Sequence, residues 1–362
     1  MKWENMRYEM RERGVTMATS TKISEQATQQ FADDVRAAGL DAPWFHPGPL
    51  IQPKKFQVQS GLWKWEKIEP LVRSTPDFVA PGKGAERRIL RIANPGVAEL
   101  TATHTMSIAF QYLIAGEVAP AHRHSPNAMR FMLDGQGAYT TVNGDKCMMH
   151  PGDLILTPGG AWHDHGNDGS GPVMWIDILD SPVVRFLETL SMEPYPHEKQ
   201  MDGIKNNRSE QRYFAPGLVP AGYEAEKQER LLVYRWEKAH EALLRLAEGE
   251  SDPFDDVILQ YVEPRTGASV FPCIGAYLQM IRPGVETRAH RHSSSAIYIV
   301  VRGSGTSHVN GTAYHWSKGD ILVIAPSAVH KHANPSGEPA ILFSVQDVPL
   351  LKTLGFYREE AV

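Results

Sequence analysis

The sequence contains only two cysteines, Cys147 and Cys273, among its 362 residues. So small a number excludes a disulfide-based scaffold and is typical of proteins in a reducing compartment. Apolar runs of roughly 18 residues, the length that a transmembrane helix needs, are also missing, and the first residues lack the apolar core of a secretory signal. These absences predict a cytoplasmic protein without a membrane span. Residues 1–14 are charged and polar, and Met17 is an alternative start of translation.

An excess of basic residues is missing as well. Lys and Arg number 37 against 42 Asp and Glu, which gives a formal net charge of −5. The chain therefore lacks the electrostatic signature of a nucleic-acid or anionic-membrane binder. Hydrophobic residues make up 42% of the chain, enough for sizeable cores, and its length favours two domains.

Histidines are concentrated in one stretch, Gly116 to Asn167. His122 and His124 are two residues apart, which places both side chains on one face of a β-strand. His163 follows 39 residues later (163 − 124), after glycine-rich turns that can fold the chain back. Three neutral imidazoles on adjacent strands can bind one face of a divalent metal and leave its other positions open to ligands. The stretch therefore predicts a metal site.

The same pattern occurs a second time along the chain. His290-Arg291-His292 repeats His122-Arg123-His124 at an offset of 168 (290 − 122), and His330 repeats His163 at an offset of 167 (330 − 163). Short strand-like runs with turn signals accompany both copies. A repeat of this kind predicts two copies of one all-β barrel.

Local patterns divide the chain further. Apolar residues at every fourth position after Ser24, a plausible N-cap, predict a helix over residues 24–38. A second helix is expected over residues 239–247, and strands over residues 106–114, over residues 173–179 and from Val257 onward. The predicted organisation is an N-terminal arm (1–60), a first barrel with the metal site (61–192), a connecting segment (193–255) and a second barrel (256–362).

The glycines, the proline and the histidines of the first copy resemble the two sequence motifs of the cupin family. The matching residues are Gly116, His122, His124 and Gly135 for the first motif, and Gly152, Pro158, Gly160, His163 and Asn167 for the second. The usual first motif also has a Glu, whose possible places hold Ala128 and Met129 here. The resemblance implies a double-stranded β-helix for each half, hence a bicupin with an N-terminal arm and a few short helices. A three-histidine site leaves the metal its full double positive charge, which suits an anionic, chelating substrate.

The two copies differ at positions that would face such a substrate. Arg130 lies six residues after His124, and Tyr298 replaces it in the second copy. An even offset along a strand would place Arg130 on the face of the histidines, where a guanidinium can bind a carboxylate through two hydrogen bonds. The other correspondences are Gln111 with Gln279, and Asp177 with either Val345 or Ser344. The first copy is therefore expected to bind an anion and the second is not.

Longer motifs resemble the gentisate 1,2-dioxygenase family, which includes salicylate, nitrosalicylate and 1-hydroxy-2-naphthoate dioxygenases. They lie at His122–Phe131, Gly135–Gly144, Met149–Asp153, Trp162–Asn167 and Trp175–Asp180, with further elements at Trp63–Trp65, Glu86–Arg88 and Ala93–Gly96. The resemblance implies a non-haem Fe(II) enzyme and a homotetramer. With dioxygen it would cleave an aromatic ring between the carboxyl-bearing carbon and the adjacent hydroxyl-bearing carbon, most simply converting gentisate to maleylpyruvate.

A role for each candidate follows as a hypothesis. His122, His124 and His163 would bind Fe(II); Arg130 would hold the substrate carboxylate, with Arg87 as a second anion contact; Gln111 would orient the substrate or the oxygen; His165 would take the phenol proton; and Asp177 would fix the tautomer of His165 or contact a ring hydroxyl. The alternatives are structural: an ion pair for either arginine, a strand hydrogen bond for Gln111, and a structural partner for Asp177.

Two features leave alternatives open. Ser107 stands where the family often has a bulky aromatic residue, so the substrate is either gentisate or a larger or substituted ring, such as a salicylate, a nitrosalicylate or 1-hydroxy-2-naphthoate. The second histidine set, at His290, His292 and His330, either binds a second metal or is vestigial. From other classes, a cupin that only binds a small molecule or stores a metal, and a metal-dependent isomerase, stay possible on this fold.

Overall fold

The computed structural model describes residues 25–45, 58–81, 84–85, 87–200, 203–215, 218, 230–249 and 251–362. The chain forms two compact units, residues 1–55 and residues 56–362. In the first, helix α1 (Glu25–Ala37) precedes a 3-10 turn (Pro43–Phe45), which confirms the first predicted helix. Its predicted cap Ser24, Met17, residues 1–14 and Glu86 lie outside the described residues, as do parts of the predicted arm and connecting segment.

The second unit is built mainly of short strands. In chain order they are β1 (Gly61–Trp63), β2 (Ala80–Pro81), β3 (Gly84–Ala85), β4 (Ile89–Arg91), β5 (Ser107–Leu113), β6 (Val118–His124), β7 (Ala128–Asp134), β8 (Ala138–Val142), β9 (Asp145–Met148), β10 (Leu154–Thr157), β11 (His163–Asn167), β12 (Val173–Leu179), β13 (Met192–Pro194), β14 (Lys205–Asn206), β15 (Val233–Tyr234), β16 (Val257–Tyr261), β17 (Gly275–Ile281), β18 (His290–His292), β19 (Ala296–Arg302), β20 (Ser304–Val309), β21 (Thr312–Ser317), β22 (Ile321–Ile324), β23 (His330–Ala333), β24 (Ala340–Gln346) and β25 (Glu359–Ala361). The helices are α2 (Trp65–Ser74), α3 (Ser181–Phe186), α4 (Arg208–Arg212), α5 (Trp236–Ala247) and α6 (Val348–Thr353), and a 3-10 turn (Thr75–Asp77) follows α2.

These strands form two similar barrels, as predicted. The first has two six-stranded sheets, in the orders β15-β10-β7-β12-β5-β4 and β13-β6-β11-β8-β9-β14. The second pairs the sheet β1-β22-β19-β24-β17-β16 with the sheet β21-β20-β23-β18-β25. The predicted strands at 106–114, at 173–179 and from Val257 are confirmed, and the helix expected from residue 239 begins earlier, at Trp236. Among the described residues, no helix is both long and apolar enough to cross a bilayer.

The segment that precedes each barrel docks on the other barrel. Strand β1 pairs with β22 of the second barrel, and β15 pairs with β10 of the first. The helix that follows each of these strands is held by a buried carboxylate: Asp153 Oδ1 accepts the Trp236 amide at 2.9 Å, and Asp320 Oδ1 accepts the Trp65 amide at 2.8 Å. The predicted boundary at residue 61 assigns β1 to the first barrel, whereas its hydrogen bonds join it to the second.

An apolar layer joins the two barrels. Phe131 of β7 stacks on Phe343 of β24, with ring centroids 4.2 Å apart, and one cluster of buried side chains contains residues of both barrels. Because side chains alternate along a strand, this contact turns the neighbours of Phe131 the other way. Arg130 and Met132 therefore face the interior of the first barrel.

Gly152 allows the first barrel to receive helix α5, and its substitution tests this docking. Gly152 has φ +89°, and a Cβ there would lie 2.6–2.9 Å from side-chain atoms of Trp236. Gly152→Ala is expected to lower the free energy of unfolding by about 2–4 kcal/mol, from the strained backbone together with the overpacking. Gly311, with φ +82° and no atom within 4 Å of such a Cβ, is the matched control.

Gly311→Ala should lower the free energy of unfolding by about 1 kcal/mol, from the strained backbone conformation alone. Urea-induced unfolding of both variants and the wild type measures the difference. Equal losses in the two variants would show that the Trp236 contact contributes nothing.

Candidate metal centre

Two neighbouring strands bring the three predicted histidines of the first barrel together. His122 and His124 lie on β6, and His163 on β11 is the direct antiparallel partner of His122. The ring centroids are 4.3 to 5.3 Å apart, and the nitrogens that could bind a metal lie within 4.8 Å of one another. The juxtaposition expected from their spacing is thus present.

Backbone carbonyls orient the three rings. Each Nδ1 lies near the carbonyl oxygen of a residue two positions away: His122 near Pro120 at 3.1 Å, His124 near Pro126 at 2.9 Å and His163 near Ala161 at 2.9 Å. For His124 and His163, an Nδ1–H that donates to such a carbonyl leaves the lone pair on Nε2. His122 Nδ1 is also contacted by the Nη2 donor of Arg87, so this assignment of the proton does not extend to His122. His163 Nε2 is buried and has no hydrogen-bond partner among the described residues. Since an unsatisfied buried nitrogen is unfavourable, this donor set fits a divalent metal.

The surroundings keep the three imidazoles neutral. Burial, followed by the charge of Arg87, lowers the pKa of His122 to about 3. Burial and then Arg130 lower the pKa of His124 to about 4 and that of His163 well below its ordinary value. At neutral pH the lone pairs are therefore available to a cation without competition from protons.

Arg130 is buried inside the barrel and held by two side chains. Its Nη1 donates to Thr157 Oγ1 at 2.5 Å, and its Nε lies 3.0 Å from Asp177 Oδ1, an ion pair without a well-aligned hydrogen bond. Only 3% of Arg130 is exposed. Burial raises the pKa of Asp177, and Arg130 opposes this shift. The hydrogen bond and the ion pair thus engage Nη1 and Nε, and the structure shows no hydrogen bond from Nη2 of Arg130 to another described residue.

His165 lies on the same strand as His163, and both are buried, with ring centroids 5.6 Å apart. Its Nδ1 lies 2.8 Å from Thr140 Oγ1. Burial, and then the charge of Arg130, lower the pKa of His165 well below its ordinary value. His165 is therefore a neutral ring of fixed orientation beside the predicted metal ligands.

The contacts of Asp177 correct one predicted role. Asp177 pairs with Arg130 across β12 and β7 and accepts a hydrogen bond from Trp175 Nε1 at 3.2 Å. His165, in the other sheet, faces Thr140 across β11 and β8. Thr140, rather than Asp177, thus orients His165, because the two predicted partners lie on different sheets.

The threonines Thr140 and Thr157 are functional candidates that the residue patterns did not single out. Thr140 lies within one of the motifs that resemble the dioxygenase family, which was a usable signal. Thr157 has no such signal, because only the pairing of β10 with β7 places it beside Arg130.

The remaining candidates lie at three places around the histidines. Gln111 on β5 is buried, and its Nε2 has no partner among the described residues, so the alternative of a plain strand hydrogen bond is not observed for that group. Arg87 contacts His122 Nδ1 through its Nη2. Ser107 lies at the start of β5, with its Oγ 3.0 Å from Ser181 Oγ.

The second barrel repeats the histidines but not their surroundings. His290 pairs with His330 across β18 and β23. Ser344 pairs with Tyr298 as Asp177 does with Arg130, so Ser344, rather than Val345, is the counterpart of Asp177.

Comparisons with known proteins agree with this architecture. The family model described as "Cupin domain" matches residues 95–179 and 277–346. A 5-aminosalicylate 1,2-dioxygenase of Comamonas sp is 35% identical over 91% of this chain and 89% of its own length. A gentisate 1,2-dioxygenase of Ralstonia sp is 31% identical over 96% and 98%.

One solved structure extends the similarity to three dimensions. The crystal structure of a salicylate 1,2-dioxygenase from Pseudoaminobacter salicylatoxidans, with gentisate adducts, matches with a TM-score of 0.84 and 31% identity. The match covers 97% of this chain and 98% of that chain.

Removing one histidine tests the metal centre. His163→Ala deletes a buried donor, so the folded protein should lose the metal of the first barrel, as measured by elemental analysis after dialysis. Arg123→Ala is the matched control, since Arg123 lies between His122 and His124 but pairs outward with Glu193. The control should keep the wild-type metal content, and a full metal complement in His163→Ala would contradict the assignment.

Proposed function

This chain belongs to the gentisate 1,2-dioxygenase family of ring-cleaving cupin dioxygenases, and we propose that it cleaves a 2-hydroxy aromatic carboxylate at an Fe(II) ion held by His122, His124 and His163. Gentisate, which would give maleylpyruvate, is the leading substrate. The observation that carries the proposal is the buried guanidinium of Arg130 beside three neutral imidazoles.

The donor set supports a metal that keeps its full charge and open positions. Three neutral imidazoles add no negative charge, and no carboxylate stands where cupins usually have one, since Ala128 and Met129 occupy those places. When bound, Fe(II) would gather an aromatic acid and dioxygen on one ion and favour the negative charge that develops on oxygen.

Arg130 would recognise the substrate carboxylate. A charge-assisted pair is stronger where water is excluded, and Arg130 is almost fully buried. Asp177 and Thr157 hold the Nε and Nη1 sides of the guanidinium, so the free edge is presented in one orientation. Arg87, beside His122, would add positive charge on the other side.

His165 and Gln111 would act on the hydroxyl side of the substrate. His165 is a neutral imidazole whose orientation is set by Thr140, and it would accept the phenol proton as the substrate binds. Because burial lowers the pKa of His165, the ring is in its neutral, proton-accepting form at neutral pH. The Gln111 amide group, without a partner among the described residues, would donate to a substrate or oxygen atom.

Ser107 supports a second group of substrates. A serine at the start of β5 leaves room that an aromatic side chain would fill, next to Ser181. Larger or 5-substituted rings, such as substituted salicylates or 1-hydroxy-2-naphthoate, are therefore the alternative to gentisate. The similarity to a 5-aminosalicylate dioxygenase points the same way.

The cytoplasmic location and the homotetramer expected from the sequence are part of the same proposal. Light scattering coupled to size-exclusion chromatography measures the number of chains in the assembly.

Oxygen uptake by the Fe(II)-loaded protein on addition of gentisate tests the activity.

Substitution of Arg130 tests how the substrate binds. Arg130→Ala removes one partner of a buried charge pair without removing a metal ligand, so iron content should persist. We expect kcat/KM to fall by on the order of a hundredfold, or about 3 kcal/mol. Arg130→Lys, which keeps the charge but not the planar fork, should recover only part of this loss.

The outward-facing Arg123→Ala is again the control and should stay close to the wild-type kcat/KM. Loss of iron in Arg130→Ala, or an unchanged kcat/KM, would contradict the proposed carboxylate anchor. No oxygen uptake by the wild type with any 2-hydroxy aromatic acid would contradict the activity itself.

Ser107→Trp tests the substrate group. The indole should fill the space at the start of β5 and suppress turnover of 1-hydroxy-2-naphthoate and 5-substituted salicylates more than turnover of gentisate. Ser107→Thr is the conservative control, with a small change in volume. The measurement is kcat/KM of both variants and the wild type with each of these substrates. An equal loss of kcat/KM for every substrate would show that Ser107 does not face the ring.

A further inference from the structure

The second barrel contains a second histidine triad that is as compact as the first. The ring centroids of His290, His292 and His330 are 4.2 to 5.6 Å apart, and their candidate ligand nitrogens lie within 4.8 Å of one another. All three are buried, with exposed fractions of 2%, 6% and 1%. The geometry that suits a cation in the first barrel is therefore also present in the second.

Backbone carbonyls lie beside Nδ1 of two of these rings as well, whereas His290 Nδ1 is buried and has no hydrogen-bond partner among the described residues. His292 Nδ1 lies 2.9 Å from Ser294 O, and His330 Nδ1 lies 2.9 Å from Ala328 O. Both arrangements leave the Nε2 lone pair for a ligand. His330 Nε2 is buried and finds no hydrogen-bond partner in the part of the chain that the structure describes. A buried acceptor without a partner, aimed into a cluster of imidazoles, points to a missing cation.

The residues that would hold an anion in the first barrel are absent from the second. Tyr298 occupies the position of Arg130, and Ser344 that of Asp177. Gln279, the counterpart of Gln111, is engaged, since its Nε2 donates to Asp255 O at 2.8 Å and to Asp255 Oδ1 at 3.0 Å. An ion pair in the first barrel thus corresponds to two uncharged side chains in the second, and the shared glutamine is bound to an acidic residue.

The charged groups near the two histidine triads also differ. In the first barrel, Arg87 and Arg130 lower the pKa of His122 and of His124 in addition to burial. In the second, burial and then His330 lower the pKa of His290 to about 4, while Glu359 and Asp252 act in the opposite direction.

Aromatic rings surround the second triad. The Phe254 ring lies 4.9 Å from that of His290, and the Tyr298 ring lies 5.1 Å from that of His332. Strand β25, near the C-terminus, pairs with β18 directly alongside His290 and His292. The basic group recorded on this side is Arg288, whose guanidinium carbon lies 5.7 Å from the centroid of the Phe254 ring.

We propose that the second barrel holds its own divalent cation at His290, His292 and His330, with water rather than an aromatic acid at the remaining positions. This site is separate from the catalytic proposal for the first barrel and does not depend on it. Because a cation that binds only the folded state stabilises that state, the second metal is a resident structural ion of the C-terminal barrel.

Counting metal in four proteins tests the proposal. The full chain is stripped with a chelator, reloaded with Co(II), and analysed as wild type, His163→Ala, His330→Ala and the double variant. We expect two Co(II) per chain in the wild type, one in each single variant and none in the double variant. His308→Ala is the matched control, because His308 lies on β20 of the same barrel outside the triad, and it should retain both ions.

One Co(II) per chain in the wild type, unchanged in His330→Ala, would overturn the second site. If circular dichroism shows that His330→Ala does not fold, the Co(II) content of His330→Gln is measured instead, because glutamine keeps a polar side chain but lacks the imidazole.

Salicylate then distinguishes the two ions by their ligands. The visible Co(II) spectrum of His330→Ala, which keeps only the first site, should shift on addition of salicylate. The spectrum of His163→Ala, which keeps only the second site, should not change. A comparable shift in His163→Ala would overturn the claim that the second cation excludes the aromatic acid. Failure of the catalytic proposal would appear in oxygen uptake, whereas failure of the second site would appear as an unchanged metal count in His330→Ala.

Discussion

The buried ion pair between Arg130 and Asp177 is the interaction on which the first site depends. A guanidinium in a barrel interior is unfavourable unless a partner compensates for its lost hydration. Asp177 supplies that compensation from the neighbouring strand, and Thr157 accepts a second hydrogen bond. Burial first, and then this retained charge, lower the pKa of His124 and of His163, so both imidazoles stay neutral.

The orientation of Arg130 depends in turn on the contact between the two barrels. Phe131 must face outward to stack on Phe343, and the alternation of a strand then directs Arg130 inward. The exchanged segments reinforce this contact, because β1 and α2 dock on the second barrel while β15 and α5 dock on the first. The second barrel thus supports the site in the first even without taking part in its chemistry.

One fold carries two different charge patterns. Both barrels present three histidines whose candidate ligand nitrogens lie within 4.8 Å of one another, and a backbone carbonyl lies beside Nδ1 of His163 and of its counterpart His330. Replacing Arg130 by Tyr298 and Asp177 by Ser344 removes an ion pair as a unit, which avoids leaving either charge buried alone. The second barrel therefore keeps the three histidines but not the ion pair beside them.

The sequence by itself determined the local features. The spacing of His122 and His124 placed both on one strand face, the repeat implied two barrels, and the motifs indicated the family; all of this depends on short-range periodicity. The even offset from His124 predicted that Arg130 faces the barrel interior, and it does. The reason was wrong, however, because the chain turns after His124 and Arg130 lies on a strand of the other sheet. Only the tertiary structure decided the partners of Asp177 and His165, the counterpart of Asp177 and the exchange of β1 and β15. These depend on which strands pair and in which register, and pairing between distant segments is set by packing of the whole fold rather than by neighbours in the chain.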